Sequence, residues 1–294
     1  MIKFKDGVYD IPNEMYHASS GLSRSALWDI KKSPLHYWSN YLSDSKPEKK
    51  ESSALIVGEL THALVMEPDE VSKRFALSPE LEKLPDVVRK KDVGAELFEL
   101  NKSLRAEAKA RNDLIMKQAQ ELSIDKVVVS RNDYDMATRL CEAVYKNPMA
   151  EYLFKSTHVE KSIYFTHKET GVQCKVRPDS WAGAVITDLK TCIDASPGAF
   201  KRAALDKGYY LQAAMIREGL RSLGMEMETF VFFCVEKTAP FATVYYTVTN
   251  EVLEFGLNQF NDLMQQYKWC LDNNKWHSYE PQELTLPNFL KRED

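Results

Sequence analysis

Apolar positions along this chain recur at helical spacing through its front half and at strand spacing beyond it. Ala26, Leu27 and Ile30 follow Ser23, a residue suited to cap a helix, and Pro34 interrupts the run. Ala54 to Met66 reads as a second helix, ended at Glu67-Pro68, and 94–122 has helical composition with charge on most faces. Lys126 to Val129 suits a short strand. Ser130 can then cap a helix through Met136, Leu140 and Val144 that stops near Asn147-Pro148.

Beyond 160 the pattern changes. Ser162 to Phe165 and Val172 to Val176 flank His167-Lys168-Glu169-Thr170-Gly171, which predicts a hairpin. Ala184 to Thr191 predicts a third strand, and Phe200 to Leu205 and Tyr209 to Leu220 predict helices. Thr229 to Val235 and Ala242 to Val248 are rich in β-branched and aromatic residues, and Asn250 opens a closing helix to about Leu271. Helices, three strands, helix, strands and a last helix in that order imply an α/β sandwich. Residues 43–53 read as a polar loop, and the Pro- and charge-rich residues 78–92 read as mobile.

Size permits one large domain or two small ones in 294 residues. It reads as one domain: a mainly helical part over 1–155, a core over 156–275 and a tail over 276–294. With 44% hydrophobic and 28% charged residues, the composition is that of an ordinary globular protein. No apolar run approaches the ~20 residues of a membrane span. Met1 to Asp6 carries no apolar signal-peptide core, and five scattered cysteines lack zinc spacing, so the expected location is the cytoplasm with reduced thiols. A net charge of −4 argues mildly against nucleic-acid binding without excluding it, because a basic field can be confined to a channel. Lys31, Lys32, Arg89, Lys90, Lys91, Lys201, Arg202 and Lys207 are the candidate channel groups, and Arg177 joins Lys201, Arg202 and Lys207 as an expected DNA contact.

The richest chemistry lies in Pro178-Asp179 and Asp188-Leu189-Lys190. On a strand, Asp188 and Lys190 share one face and Leu189 points the other way. Two carboxylates and an ammonium then converge, an arrangement suited to metal-assisted phosphodiester hydrolysis. A bare acid-x-Lys more often marks a solvated strand edge, so its companions matter. Gly58-Glu59-Leu60-Thr61-His62 sets a histidine on a helix, where burial and metal ligation both fit. Tyr209 and Gln212 share a helix face, where the amide could orient the lysine or a water. Glu160, at the opening of the first hairpin strand, could add a carboxylate.

Taken together, these residues resemble the RecE-type exonucleases (exodeoxyribonuclease VIII), close to the RecB-like branch of the PD-(D/E)xK nucleases. The likeness runs through Gly7-Val8-Tyr9-Asp10-Ile11, Leu22-Ser23-Arg24-Ser25, Gly58 to His62, Glu160-Lys161-Ser162-Ile163-Tyr164, Cys174 to Asp179, Asp188-Leu189-Lys190-Thr191, Tyr209 to Gln212 and Leu284-Thr285-Leu286-Pro287. The resemblance implies a restriction-endonuclease-like α/β core, a central mixed sheet flanked by helices, with additional N-terminal helices. It implies 5′-to-3′ digestion of linear duplex DNA that leaves 3′ single-stranded tails for recombination. It implies Mg²⁺, with Mn²⁺ a possible substitute and two ions per site, held by His62, Asp179, Asp188 and the Leu189 carbonyl, with Glu160 a further candidate. Lys190 would be the catalytic lysine and Gln212 and Tyr209 its supporting pair. A homo-oligomeric ring, tetrameric by preference, and a RecT-type annealing partner are also implied. One departure is Ile216, where the family often carries a second aromatic. The competing expectations are an endonuclease or repair nuclease with the same site, and a non-catalytic DNA-binding protein of the same fold. The lack of a P-loop or G-x-G-x-x-G sets a nucleotide-binding enzyme aside.

Overall fold

The computed structural model describes residues 2–47, 52–155 and 158–285. Its front part runs β1 (Gly7–Tyr9), α1 (Asn13–Ala18), α2 (Arg24–Lys32), α3 (Pro34–Tyr37) and one π-helical turn, Trp38–Leu42. Ser23 caps α2 as predicted, its hydroxyl accepting from Ala26 N–H, and Pro34 ends that run by starting α3 at its first turn. Helices α4 (Ser53–Met66) and α5 (Pro68–Arg74) lead to β2 (Phe75–Leu77), the long α6 (Lys90–Leu122), β3 (Val127–Val129), α7 (Arg131–Lys146) and α8 (Ala150–Phe154). The core part then runs β4 (His158–Val159), β5 (Ser162–Thr166), β6 (Gln173–Val176), β7 (Ser180–Ala182), β8 (Val185–Cys192), α9 (Pro197–Asp206), α10 (Tyr209–Ser222), β9 (Thr229–Glu236), β10 (Thr243–Thr247) and α11 (Asn250–Asn273).

A five-stranded mixed sheet has the order β10-β9-β8-β7-β4, with β8 and β9 parallel and the other pairs antiparallel. Alternation along β9 divides the core in two. Phe230, Phe232 and Cys234 face a layer that includes α2, α10 and α11, while Val231, Phe233 and Val235 face α4, α7 and α8. Leu189 belongs to the second layer, so Asp188 and Lys190 point toward the first. Strand β1 closes a second, antiparallel sheet, β1-β5-β6, whose hairpin forms where the sequence predicts it. The helical front part is therefore woven into the core part, through β1 beside β5 and α4 against β8.

Two glycines hold α10 in place. Gly208 precedes it in a left-handed conformation (φ 67°), and a Cβ there would lie 2.3 Å from the Trp28 ring. Gly256 of α11 packs so close that a Cβ would lie 2.4 Å from the Tyr210 carbonyl oxygen. Nearly every residue of α10 from Tyr209 to Leu220 is buried or half-buried, so it is the pillar on which both sheets and α11 rest.

Three expectations are corrected. The strands exceed those the pattern predicts: β1, β2, β4 and β7 are only two or three residues long, too short to show a period, and hold by pairing with β5, β3, β7 and β8 respectively. Residues 78–89 lack regular structure, but they are not free. Asn112 bonds both the Glu82 N–H and its carbonyl, Arg111 pairs with the Glu82 carboxylate, and Arg105 donates to the Pro85 carbonyl, which straps the segment along α6. Glu160 does not open β5; it sits in the bend before it with φ at 50°. Within the polar stretch 43–53, residues 48–51 lie outside the described residues, as do Leu286 and Pro287 of the last motif. Among the described residues no helix is long and apolar enough to cross a membrane.

Candidate active site

Five separate elements bring their side chains to the carboxyl half of β8. His62 comes from α4, Glu160 from the bend after β4, and Asp179 from the loop between β6 and β7. Asp188 and Lys190 come from β8, and Tyr209 and Gln212 from the first turn of α10. The strand's own backbone is part of the arrangement. Leu189 N–H donates to Asp179 Oδ2 at 2.8 Å, and the Leu189 backbone also hydrogen-bonds His62. His62 Nδ1 lies 3.3 Å from the same Asp179 oxygen.

Lys190 sits in a clamp. Its ammonium pairs with Asp188 Oδ2, donates to Gln212 Oε1 at 3.3 Å, and stands 4.6 Å from the centre of the Tyr209 ring. Gln212 Nε2 donates in turn to Asp188 Oδ1. An amide suits this position because it gives to the acid and accepts from the base, where a glutamate would repel Asp188. Tyr209 is fixed by Phe200 and Phe232, with ring centroids 5.9 and 5.5 Å away. The aromatic wall on β9 left no sequence signal, since Phe232 reads as core.

Burial sets the electrostatics. It pushes the Asp179 carboxyl well above the usual carboxylate range, and the charge of Asp188 pushes the same way. Burial and Asp179 raise Glu160 to about 7, against the pull of Arg177 and His62. Burial lowers His62 below its ordinary value despite the nearby acids, which keeps the ring neutral and its lone pair available. For Lys190 burial works downward, but Asp188 and Asp179 outweigh it and hold the ammonium above its ordinary value.

One of these acids is short of partners. Asp188 is 1% exposed, and its Oδ2 accepts no hydrogen bond of ordinary geometry beyond its contact with Lys190. Ligand atoms of His62, Glu160 and Asp179 all lie within 4.8 Å of one another. An oxygen-rich set with one neutral imidazole and a buried, under-satisfied carboxylate fits a hard divalent cation.

Residues 23–282 match the family described as PDDEXK-like domain of unknown function (DUF3799). The chain belongs to that family. In this PDDEXK-like chain, Pro178-Asp179 and Asp188-Leu189-Lys190 stand where strand β8 and the loop between β6 and β7 bring them within one site. Its fold is similar to a crystal structure from Eubacterium rectale described as a "putative exonuclease", with a TM-score of 0.54 over 94% of this chain and 97% of that one. Identity is 15%, so the likeness is one of fold. No curated protein matches the chain.

The PDDEXK-like fold thus gathers His62, Glu160, Asp179, Asp188, Leu189, Lys190, Tyr209 and Gln212. It does not gather the four expected DNA contacts. Lys201, Arg202 and Lys207 are exposed on α9 and just beyond it. Arg177 is turned inward, with its side chain 11% exposed, because Glu160 and Ser162 take its guanidinium. Lys31, another channel candidate, is committed to the Tyr210 hydroxyl and Gln259.

Proposed function

We propose that this chain is a metal-dependent exonuclease that digests linear duplex DNA from its 5′ ends and leaves 3′ single-stranded tails. The observation that supports it best is the Lys190 ammonium held between Asp188 and Gln212, beside the group of His62, Glu160 and Asp179. His62, Glu160, Asp179 and Asp188 would hold Mg²⁺, with Mn²⁺ a substitute and two ions the number we favour. Such ions, when bound, polarise a phosphate and lower the pKa of coordinated water.

The remaining work falls to the chain. Lys190 stays cationic beside the acids and faces charge as it develops on the phosphate, a role worth ~2.7–4 kcal/mol for a well-placed donor. Gln212 sets the direction of that ammonium, and the Tyr209 ring closes its apolar side. Neutral His62 supplies a lone pair without adding charge. Lys201, Arg202 and Lys207 lie beyond Phe200, which touches Tyr209, and there they can track a phosphate backbone. Polarity, the ring-shaped homo-oligomer and a RecT-type annealing partner rest on the family resemblance.

A time course on duplexes labelled at either the 5′ or the 3′ end, with Mg²⁺ or with EDTA, tests the reading. Early release of 5′-labelled nucleotides with Mg²⁺, none with EDTA, and an intact covalently closed circle are expected. Rapid cutting of the circle would mean an endonuclease. No nucleotide release with any divalent cation would mean a DNA-binding protein without catalysis.

A further inference from the structure

Arg177 is absent from the roles above, yet it is among the most tightly held cations in the protein. Its Nε donates to Glu160 Oε2 at 2.8 Å, one terminal nitrogen donates to Ser162 Oγ at 3.2 Å, and its guanidinium stands 5.5 Å from the Tyr16 ring centre. Ser162 is fully buried and Tyr16 nearly so. Tyr16 is itself fixed, because buried Lys175 donates to its carbonyl at 2.7 Å and to the Ser19 carbonyl at 2.8 Å. The guanidinium is thus pinned on three sides, by the bend at Glu160, by β5 and by α1.

We propose that Arg177 is a positioning residue for metal binding, acting through Glu160; this rests on reading the site as a divalent-metal centre. Glu160 needs such a partner. A glutamate has three rotatable side-chain bonds, and this one stands in a bend, outside any strand that would fix its direction. Its left-handed backbone is tied by the Glu160 N–H, which donates to the Asp179 carbonyl at 3.1 Å. That bond ties the bend to the Asp179 loop. The fork of Arg177 then fixes the carboxylate itself, with one oxygen bound, at the edge of the His62–Asp179 pair. A planar guanidinium can serve Glu160 and Ser162 at once, whereas a lysine offers a single point of charge. Groups that orient a metal ligand in this way commonly carry 10–100-fold in metal affinity.

The chain of contacts runs further back, from α1 through Tyr16 to Arg177 and so to Glu160. It gives the front segment a stake in the site without any direct contact with the cation.

The test is a Mn²⁺ titration by calorimetry of the full chain, with no DNA present, on five proteins: wild type, Arg177→Gln, Arg177→Lys, Glu160→Gln and the Glu160→Gln/Arg177→Gln double variant. Circular dichroism checks each fold. Arg177→Gln is expected to weaken Mn²⁺ about 10–100-fold, Arg177→Lys by less, and the double variant no more than Glu160→Gln alone. Wild-type affinity in Arg177→Gln, or full additivity in the double variant, overturns the proposal while leaving the nuclease reading in place. Should Arg177→Gln fail to fold, Arg177→Lys carries the test, and wild-type affinity in that variant likewise overturns the proposal. A wild type that binds no Mn²⁺ overturns both.

Discussion

Without metal, Glu160 should make this protein more stable at pH 5 than at pH 7.5. Its carboxyl titrates at about 7 in the fold, because burial and the charge of Asp179 outweigh Arg177 and His62. In the unfolded chain it titrates at the ordinary value, 4.5. Between those two pH values the folded chain keeps a proton that the unfolded chain has released. The contribution is therefore fully present below pH 4.5 and is lost as pH rises through about 7. The gap is worth up to about 3 kcal/mol, and roughly 2 kcal/mol is the better figure because the side chain keeps 21% of its exposure. Asp179, raised by burial and by Asp188, acts in the same direction. His62 acts in the opposite one, since burial lowers it and the unfolded chain takes the extra proton in acid. The comparison of wild type with Glu160→Gln removes those other groups from the account. In EDTA the wild type should gain ~4–8 °C in melting temperature over the variant between pH 7.5 and pH 5, at about 2–4 °C per kcal/mol. Saturating Mn²⁺ should invert the trend, because the cation binds the ionised acids and stabilises by mass action. Scanning calorimetry across that pH range provides the measurement. A wild-type-minus-variant difference that stays flat, or falls in acid, would refute the buried, metal-awaiting carboxylate.

Two further outcomes are expected. Lys190→Met should lower single-turnover cleavage at least ~100-fold, and in EDTA it should also destabilise the chain, since Asp188 at 1% exposure loses its counter-ion; added Mn²⁺ should recover the stability but not the rate, as denaturant melts and a quench-flow assay would show. Gly256→Ala should cost ~1–3 kcal/mol in urea unfolding even after its gain in helix propensity, because the new methyl would meet the Tyr210 carbonyl and Ala214; unchanged stability would mean that α10 and α11 stand farther apart than described.

What the sequence made legible was local. The face shared by Asp188 and Lys190 follows from the strand period, and the face shared by Tyr209 and Gln212 from the helical one. Both hold in β8 and α10. The caps by Ser23 and Ser130 were readable for the same reason. What escaped depends on partners far along the chain. Strand β1 pairs with β5 more than 150 residues away. Residues 78–92 read as mobile from their prolines and charges, yet Asn112 closes on Glu82 as a neighbouring strand would. Arg177 read as a DNA contact because nothing in its neighbours in sequence tells that Glu160, Ser162 and Tyr16 surround it.

The site also explains why its members look unremarkable one at a time. Each is a common residue in a common setting, and the cost appears only on assembly. Three carboxylates from three elements meet two paired cations, Lys190 and Arg177, and burial pushes two of the acids toward protonation. Among the described residues Asp188 Oδ2 is buried and meets only the Lys190 ammonium. Swapping these acids for apolar or amide side chains would relieve that cost, so stability gives no reason for the arrangement. The proposed divalent cation would, because three carboxylates outnumber the two cations and it would add positive charge beside them. On that proposal the electrostatic cost of the site and its chemistry have one source: the fold keeps its acids close enough for a cation to offset their repulsion.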